Sequence, residues 1–205
     1  MNTRNTDLMK MARQSLDGKW GLAIGTFFVS GLIQSFFNII PFAFIFIAGP
    51  FNLGVSIFSL ALVRNTDIDL DYIFKGFNNF GKSLGLSLLG GLIVILGYML
   101  FIIPGIYLTY CYAMAFYILA DHPNLDVMEV LNKSKEMMDG HKFKLFRMHL
   151  RFAGLFILCI FTLFIGLFWL IPYMSACTAM FYEDINGREK ESEDVADHLI
   201  VPEIF

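Results

Sequence analysis

Residues 20–63 read WGLAIGTFFVSGLIQSFFNIIPFAFIFIAGPFNLGVSIFSLALV, and these 44 residues contain no charged side chain. Two further windows share this property: residues 83–120, with 38 residues, and residues 152–182, with 31. Because a helix needs about 20 apolar residues to cross the hydrocarbon core of a bilayer, each window suits a hairpin of two helices. The sequence therefore predicts an all-α polytopic membrane protein.

The overall composition excludes other classes of protein. The chain has 205 residues, of which 57% are hydrophobic and 16% are charged. Soluble domains have about 45–50% and 25%, and disordered chains are less hydrophobic still, so both classes are excluded. The three cysteines lie singly in apolar stretches and lack the paired spacing of disulfide frameworks and zinc sites.

Prolines mark the predicted turns of the three hairpins. They are Pro41, Pro104, which is followed by Gly105, and Pro172. Proline ends or kinks a helix because it lacks the N–H group and clashes with the preceding turn. With these breaks the windows predict six transmembrane segments, at about residues 20–40, 42–63, 83–103, 105–121, 152–171 and 173–185.

The basic residues predict the orientation of the chain. All 15 Lys and Arg residues fall in four regions that six crossings place on one side of the membrane: residues 1–19, 64–82, 121–151 and 183–205. The predicted turns on the other side carry none. The positive-inside rule therefore predicts that both termini are cytoplasmic. The first apolar run continues past the length of a signal peptide, so we expect it to be a retained anchor.

A short amphipathic stretch precedes each hairpin, begins with aspartate and ends with glycine. These stretches are residues 7–18, 69–81 and 126–140. The pattern predicts a cytoplasmic amphipathic helix before each hairpin and a single membrane domain, residues 1–185. Its units are residues 1–63, 64–120 and 121–185, and an acidic tail follows at 186–205. The alternative is that basic flanks and turn prolines occur in any membrane protein built from hairpins.

Several motifs follow one another in a characteristic order. They are FIIPGI at 101–106, YILADHP at 117–123, SK at 134–135, MDGHK at 138–142, IPY at 171–173 and FY at 181–182. This order resembles the domain of unknown function 975 (DUF975) family of bacterial integral membrane proteins. The resemblance covers nearly the whole chain and is densest from residue 100 to 182. It implies a protein of the bacterial cytoplasmic membrane without an established activity, and it supplies no catalytic residues.

Residues 140–151 form a basic stretch in which apolar and cationic side chains alternate. Its four cations are Lys142, Lys144, Arg147 and Arg151. We expect them to lie at the lipid interface and to contact anionic lipid phosphates, each contributing about 1 kcal/mol. An ordinary positive-inside flank fits the same pattern. Nucleic-acid binding is not expected, because it needs basic residues that do not flank a membrane segment.

Polar residues inside the windows are few and uncharged. Gln34, Asn38, Asn52 and Thr109 either bond between neighbouring helices or line a path for a solute. A proton relay is disfavoured because the windows contain no carboxylate. No metal site, cofactor motif or nucleophile motif is present, so we expect a protein that is not an enzyme.

The last 23 residues, 183–205, carry eight acidic and two basic side chains. We hypothesise that these acids contact the basic stretch 140–151, or that this region binds a protein partner at the cytoplasmic face.

Two functions remain open. One is a membrane scaffold or accessory protein that contacts lipid and partner proteins, and the other is a small permease or exporter with a path between the hairpins.

Overall fold

The computed structural model describes residues 3–37, 43–66, 68–162 and 165–200, and every regular element among them is helical. The elements are α1 (Asn5–Leu16), α2 (Trp20–Phe37), α3 (Ala43–Val63), a 3₁₀ helix (Leu70–Asn79), α4 (Phe80–Leu100), α5 (Ile102–Cys111), α6 (Ala115–Asp121), α7 (Val127–Met137), α8 (Lys142–Phe161) and α9 (Leu167–Ile200).

Three helical stretches among the described residues are long and apolar enough to cross a membrane. They are Phe46–Val63, Leu70–Leu100 and Ile102–Asp121, and α2 adds a shorter apolar helix, Trp20–Ser35. These helices confirm the prediction of an all-helical fold with helices of membrane length. The ends of α3 and α6 fall within one residue of the ends of the first two uncharged windows.

Helix α3 forms the centre of the bundle. In its stretch Phe46–Val63, 67% of the residues are buried inside the protein, compared with 17% in an apolar window of 18 residues within the candidate span Leu70–Leu100. Helix α3 contacts α1, α2, the 3₁₀ helix, α4, α6 and α9. These six elements are therefore arranged around this helix.

Close backbone packing joins α3 to the 3₁₀ helix. A Cβ atom on Gly54 would overlap the backbone carbonyl of Ile73, and a Cβ atom on Gly76 would overlap the backbone carbonyl of Pro50. Small residues allow helix backbones to approach this closely. The contact therefore requires a residue without a side chain on both helices.

The second hairpin turns at Phe101, which corrects the turn predicted at Pro104 and Gly105. Phe101 is extended, with φ −162° and ψ 157°, and α5 begins at the next residue. Proline is tolerated in the first turn of a helix because the N–H groups there have no intrahelical acceptor. Gly105 instead lets α4 and α5 pack closely, since a Cβ atom on Gly105 would overlap the Tyr98 ring of α4.

The turn predicted at Pro172 is also wrong. Helix α8 ends at Phe161 and α9 begins at Leu167, so the chain reverses before it reaches this proline. Pro172 lies inside α9, where it removes one backbone hydrogen bond, and helices packed in apolar bundles tolerate this loss. Helix α9 then continues to Ile200, into the region predicted as a separate tail. Pro41 lies outside the described residues.

The apolar faces of α1 and α7, two of the predicted amphipathic helices, are buried in the bundle. Helix α1 buries Leu8, Ala12 and Leu16 and packs against α9 and α3. Helix α7 buries Val130 and Leu131 and packs against α6, α4 and α9. Their amphipathic patterns therefore reflect burial against protein.

Four of the six predicted ends of the amphipathic stretches lie at helix ends. Asp69 caps the 3₁₀ helix, Asp126 caps α7 in a capping box with Glu129, and Gly18 and Gly140 follow α1 and α7 with positive φ angles of 78° and 71°. Asp7 lies inside α1, which begins at Asn5. Gly81 does not end a helix, because α4 begins directly after the 3₁₀ helix and includes it.

We predict that the substitution Gly54→Ala destabilises the protein by about 1–3 kcal/mol, the usual cost of overpacking, because the added methyl group displaces the backbone of the 3₁₀ helix. The measurement is the thermal unfolding midpoint of purified protein in detergent. Gly21→Ala is the matched control, since nothing lies within 4 Å of its added Cβ atom. Equal midpoints for the two variants would show that the close packing is not needed.

Candidate functional site

Three charged side chains meet at one end of the bundle, which we call the charged end. They are Arg64, Asp121 and Glu183, and each is the first residue after an uncharged window. The Arg64 guanidinium donates to both carboxylate oxygens of Asp121, at 2.8 and 2.7 Å, and also to Glu183 Oε1, at 2.8 Å from Nε. This cluster joins the ends of α3 and α6 to α9.

Two tyrosines extend the cluster into the bundle. The Tyr182 hydroxyl donates to Asp121 Oδ2 at 3.0 Å, and its ring stacks on Tyr117 with the centroids 5.7 Å apart. The hydrogen bonds with Asp121 raise the pKa of the Arg64 guanidinium above its ordinary value, so this side chain stays charged. Each charged group therefore has a partner, and the arrangement acts as a structural clamp.

A second ion pair is buried between α8 and α9. Lys144 Nζ lies 2.7 Å from Asp184 Oδ2, and the two side chains are only 8% and 9% exposed. Asn5 donates to the Lys144 carbonyl at 2.8 Å, and the Thr3 hydroxyl donates to Asp184. Lys144 therefore holds the start of the chain and α9 together, and the prediction that it faces lipid is wrong.

This ion pair also bears on the acidic C-terminal region. Asp184 is the second residue of that region, and its partner Lys144 belongs to the basic stretch 140–151. The contact supports the hypothesis that the two regions meet. It also explains why the prediction for Lys144 is wrong. The local pattern of cationic and apolar residues does not contain its carboxylate partner, which is 40 residues away in the sequence.

Lys142 and Lys82 bind to protein groups near the same end. Lys142 forms a salt bridge with Asp139 at 2.9 Å, and its ammonium group lies 4.9 Å from the centroid of the Tyr107 ring. Lys82 donates to the backbone carbonyls of Pro123 and Asn124 at 2.8 and 2.9 Å. Both lysines therefore join the starts of their helices to neighbouring elements.

Arg147 and Arg151 are exposed on α8. The Arg147 guanidinium lies 5.1 Å from the centroid of the Phe143 ring. Both arginines line a cavity of about 430 Å³ between the start of α1 and α8. This cavity is also lined by Arg4, which pairs with Asp7 at 3.0 Å.

The residues of the predicted polar path are not brought together. Asn52 and Thr109 are exposed on α3 and α5, and Gln34 is half-buried on α2. Thr109 donates to its own helix, at the Gly105 carbonyl, at 2.9 Å. Asn38 lies outside the described residues.

The comparisons with known proteins find one family model. Residues 92–189 match the model described as "Protein of unknown function (DUF975)", which confirms the resemblance that the sequence motifs indicated. The matched region includes Asp121, Lys144 and Tyr182, and Arg64 lies before it. No curated protein and no solved structure matches the chain.

We predict that Arg64→Gln destabilises the protein by about 1–2 kcal/mol, since it leaves Asp121 and Glu183 without their cation in a partly exposed site. The thermal unfolding midpoint in detergent measures this effect. Lys10→Gln, which removes an exposed cation of α1, is the control and should leave the midpoint unchanged. An Arg64→Gln protein as stable as this control contradicts a clamp.

We predict that Lys144→Met costs about 3–5 kcal/mol, because it leaves the Asp184 carboxylate buried without its cation. The double variant Lys144→Met/Asp184→Leu should recover most of this loss, since it removes both buried charges. Chemical denaturation of the purified protein measures the three free energies of unfolding. Arg147→Met on the exposed face of the same helix is the control, and a similar loss there would contradict this interpretation.

Proposed function

We propose that the chain is a multi-pass protein of the bacterial cytoplasmic membrane, with six crossings arranged as three hairpins. The observation that carries this proposal is the tip of the second hairpin. Met99, Leu100, Phe101, Ile102 and Ile103 are 70–80% exposed, and α4 and α5 beside them expose further apolar side chains. A continuous apolar surface of this kind is stable in lipid and not in water.

Helix length supports a full crossing by the second hairpin. Helix α4 has 21 residues, which extend about 31 Å at about 1.5 Å per residue. This matches the hydrocarbon core of about 30 Å. In the third hairpin, residues 152–161 of α8 extend only about 15 Å. The crossing there relies on Arg147 and Arg151, whose long side chains reach back towards the headgroups.

The distribution of charge supports cytoplasmic termini. The clamp of Arg64, Asp121 and Glu183 gathers the second helices of all three hairpins at the charged end. The basic residues also lie outside the uncharged windows, in the regions adjoining this end. Since basic residues remain on the cytoplasmic side, we place the charged end and both termini there.

We further propose that the protein acts as a non-enzymatic scaffold or accessory protein, whose cytoplasmic face contacts anionic lipid and partner proteins. Support comes from the contacts within the bundle. The polar groups at the charged end pair with one another, and the hydroxyls of Ser59 and Ser175 lie 2.6 Å apart between α3 and α9. This contact between polar side chains of two apolar helices therefore serves packing.

One observation favours a permease or exporter as the second candidate. A groove of about 620 Å³ is bordered by α2, α8 and α9, which belong to the first and third hairpins. Arg13 and Asp17 border one end of the groove, and most of its other lining residues are apolar. A solute with a polar head and an apolar body has the chemistry that suits this groove.

Cysteine labelling tests the topology. Cys111, Cys159 and Cys177 are first replaced by alanine, and single cysteines are placed at Ile103, Ile165 and Asn124. We predict that a membrane-impermeant maleimide labels Ile103→Cys and Ile165→Cys in intact spheroplasts and labels Asn124→Cys only after permeabilisation.

The three positions separate the parts of the proposal. Labelling of Asn124→Cys in intact spheroplasts contradicts cytoplasmic termini. Labelling of Ile165→Cys only after permeabilisation contradicts the third pair of crossings, while leaving the second hairpin in place. Recovery of all three variants in the soluble fraction contradicts a membrane protein.

A further inference from the structure

The cavity between the start of α1 and the basic half of α8 has the properties of a phosphate site. We propose that it binds the phosphate of an anionic lipid headgroup. This inference rests on the proposed membrane location and adds a defined ligand to the cytoplasmic face. The cavity has a volume of about 430 Å³, within the range of about 300–1,000 Å³ that is typical of small-molecule sites.

Of the four cationic side chains that line this cavity, Arg147 and Arg151 are the two that we assign to a ligand. Arg4 pairs with Asp7, and Lys144 pairs with Asp184. Arg147 and Arg151 form no salt bridge with any side chain described between residues 3 and 187. Guanidinium groups present parallel N–H donors that match phosphate oxygens, so two of them in one cavity favour a phosphate over a single-point anion.

The chain at the start of α1 adds neutral donors to the same cavity. Thr3, Asn5 and Thr6 line it, and α1 begins at Asn5. The first N–H groups of a helix lack intrahelical acceptors, and the helix dipole there favours an anion. The cavity therefore combines two guanidinium groups with the backbone donors at the start of α1.

The surroundings of the cavity indicate that the phosphate belongs to a lipid. Phe143, Phe146 and Leu150 are 65%, 39% and 61% exposed. They recur at spacings of three and four residues along α8, as do Arg147 and Arg151, so apolar and cationic side chains share one face of the helix. A lipid uses both parts of this face, with its phosphate at the arginines and its acyl chains against the apolar side chains.

Native mass spectrometry tests this proposal on the purified full-length protein in a neutral detergent. The probes are dioctanoyl phosphatidic acid, dioctanoylglycerol, which has the same chains without phosphate, and inorganic phosphate. The variants are Arg147→Gln/Arg151→Gln and the matched control Lys10→Gln/Lys135→Gln, which loses the same charge outside the cavity.

We expect phosphatidic acid to bind to the unmodified protein and to the control with Kd values within about twofold of each other. Loss of the two arginines should weaken this binding about thirtyfold, at about 1 kcal/mol for each. Arg147→Lys/Arg151→Lys should give intermediate binding, because it keeps the charge and loses the paired donors. Dioctanoylglycerol should bind equally to all the proteins.

Other outcomes overturn the proposal. Equal weakening in both glutamine variants indicates attraction by net charge without a site. Inorganic phosphate that binds as tightly as phosphatidic acid indicates a site for free phosphate. Because these measurements use detergent, failure of the site is distinguishable from failure of the membrane topology, which the cysteine labels report separately.

Discussion

The close contact between α3 and the 3₁₀ helix is the constraint on which the rest of the structure depends. Gly54 and Gly76 bring two backbones together where any side chain would overlap a carbonyl group. This contact fixes the element that leads into α4 against the most buried helix of the bundle. Since α3 also contacts α6 and α9, its position determines where Arg64 emerges. The clamp at the charged end therefore follows from glycine packing about three helical turns away.

The cations near the charged end fall into two groups, according to whether they bind a carboxylate of another helix. Arg64 and Lys144 bind carboxylates from other helices and hold the bundle together. Arg147 and Arg151 lie on the exposed face of α8 without such partners among the described side chains of residues 3–187. A single basic stretch therefore contributes both to internal structure and to the surface proposed for lipid. This division makes the two roles separable by substitution.

Much of the fold was predictable from where charges are missing. The uncharged windows correctly placed the ends of α3 and α6, because a charged side chain at the end of an apolar helix is moved to the polar boundary. The position of the third turn was not predictable in this way. The sequence around Pro172 does not tell whether this proline lies inside a helix or at its end. The burial of α1 and α7 was missed because an amphipathic pattern does not distinguish lipid from protein as the apolar partner.

Part of the candidate site was also within reach of the sequence. Arg64, Asp121 and Glu183 each follow an uncharged window directly, so their positions and opposite signs already indicate that they meet. The buried role of Lys144 depends on a contact between distant residues, and no local pattern contains it.

Spin-label depth measurements along α4 in lipid nanodiscs test the central claim, membrane insertion of the hairpins, most directly. Labels at Leu84, Leu88, Leu92, Leu96 and Leu100 report accessibility to oxygen and to a polar nickel complex. The account predicts that the ratio of oxygen to nickel accessibility peaks near Leu92 and falls towards both ends of the helix. A flat ratio, with the nickel complex reaching all five labels equally, would contradict it.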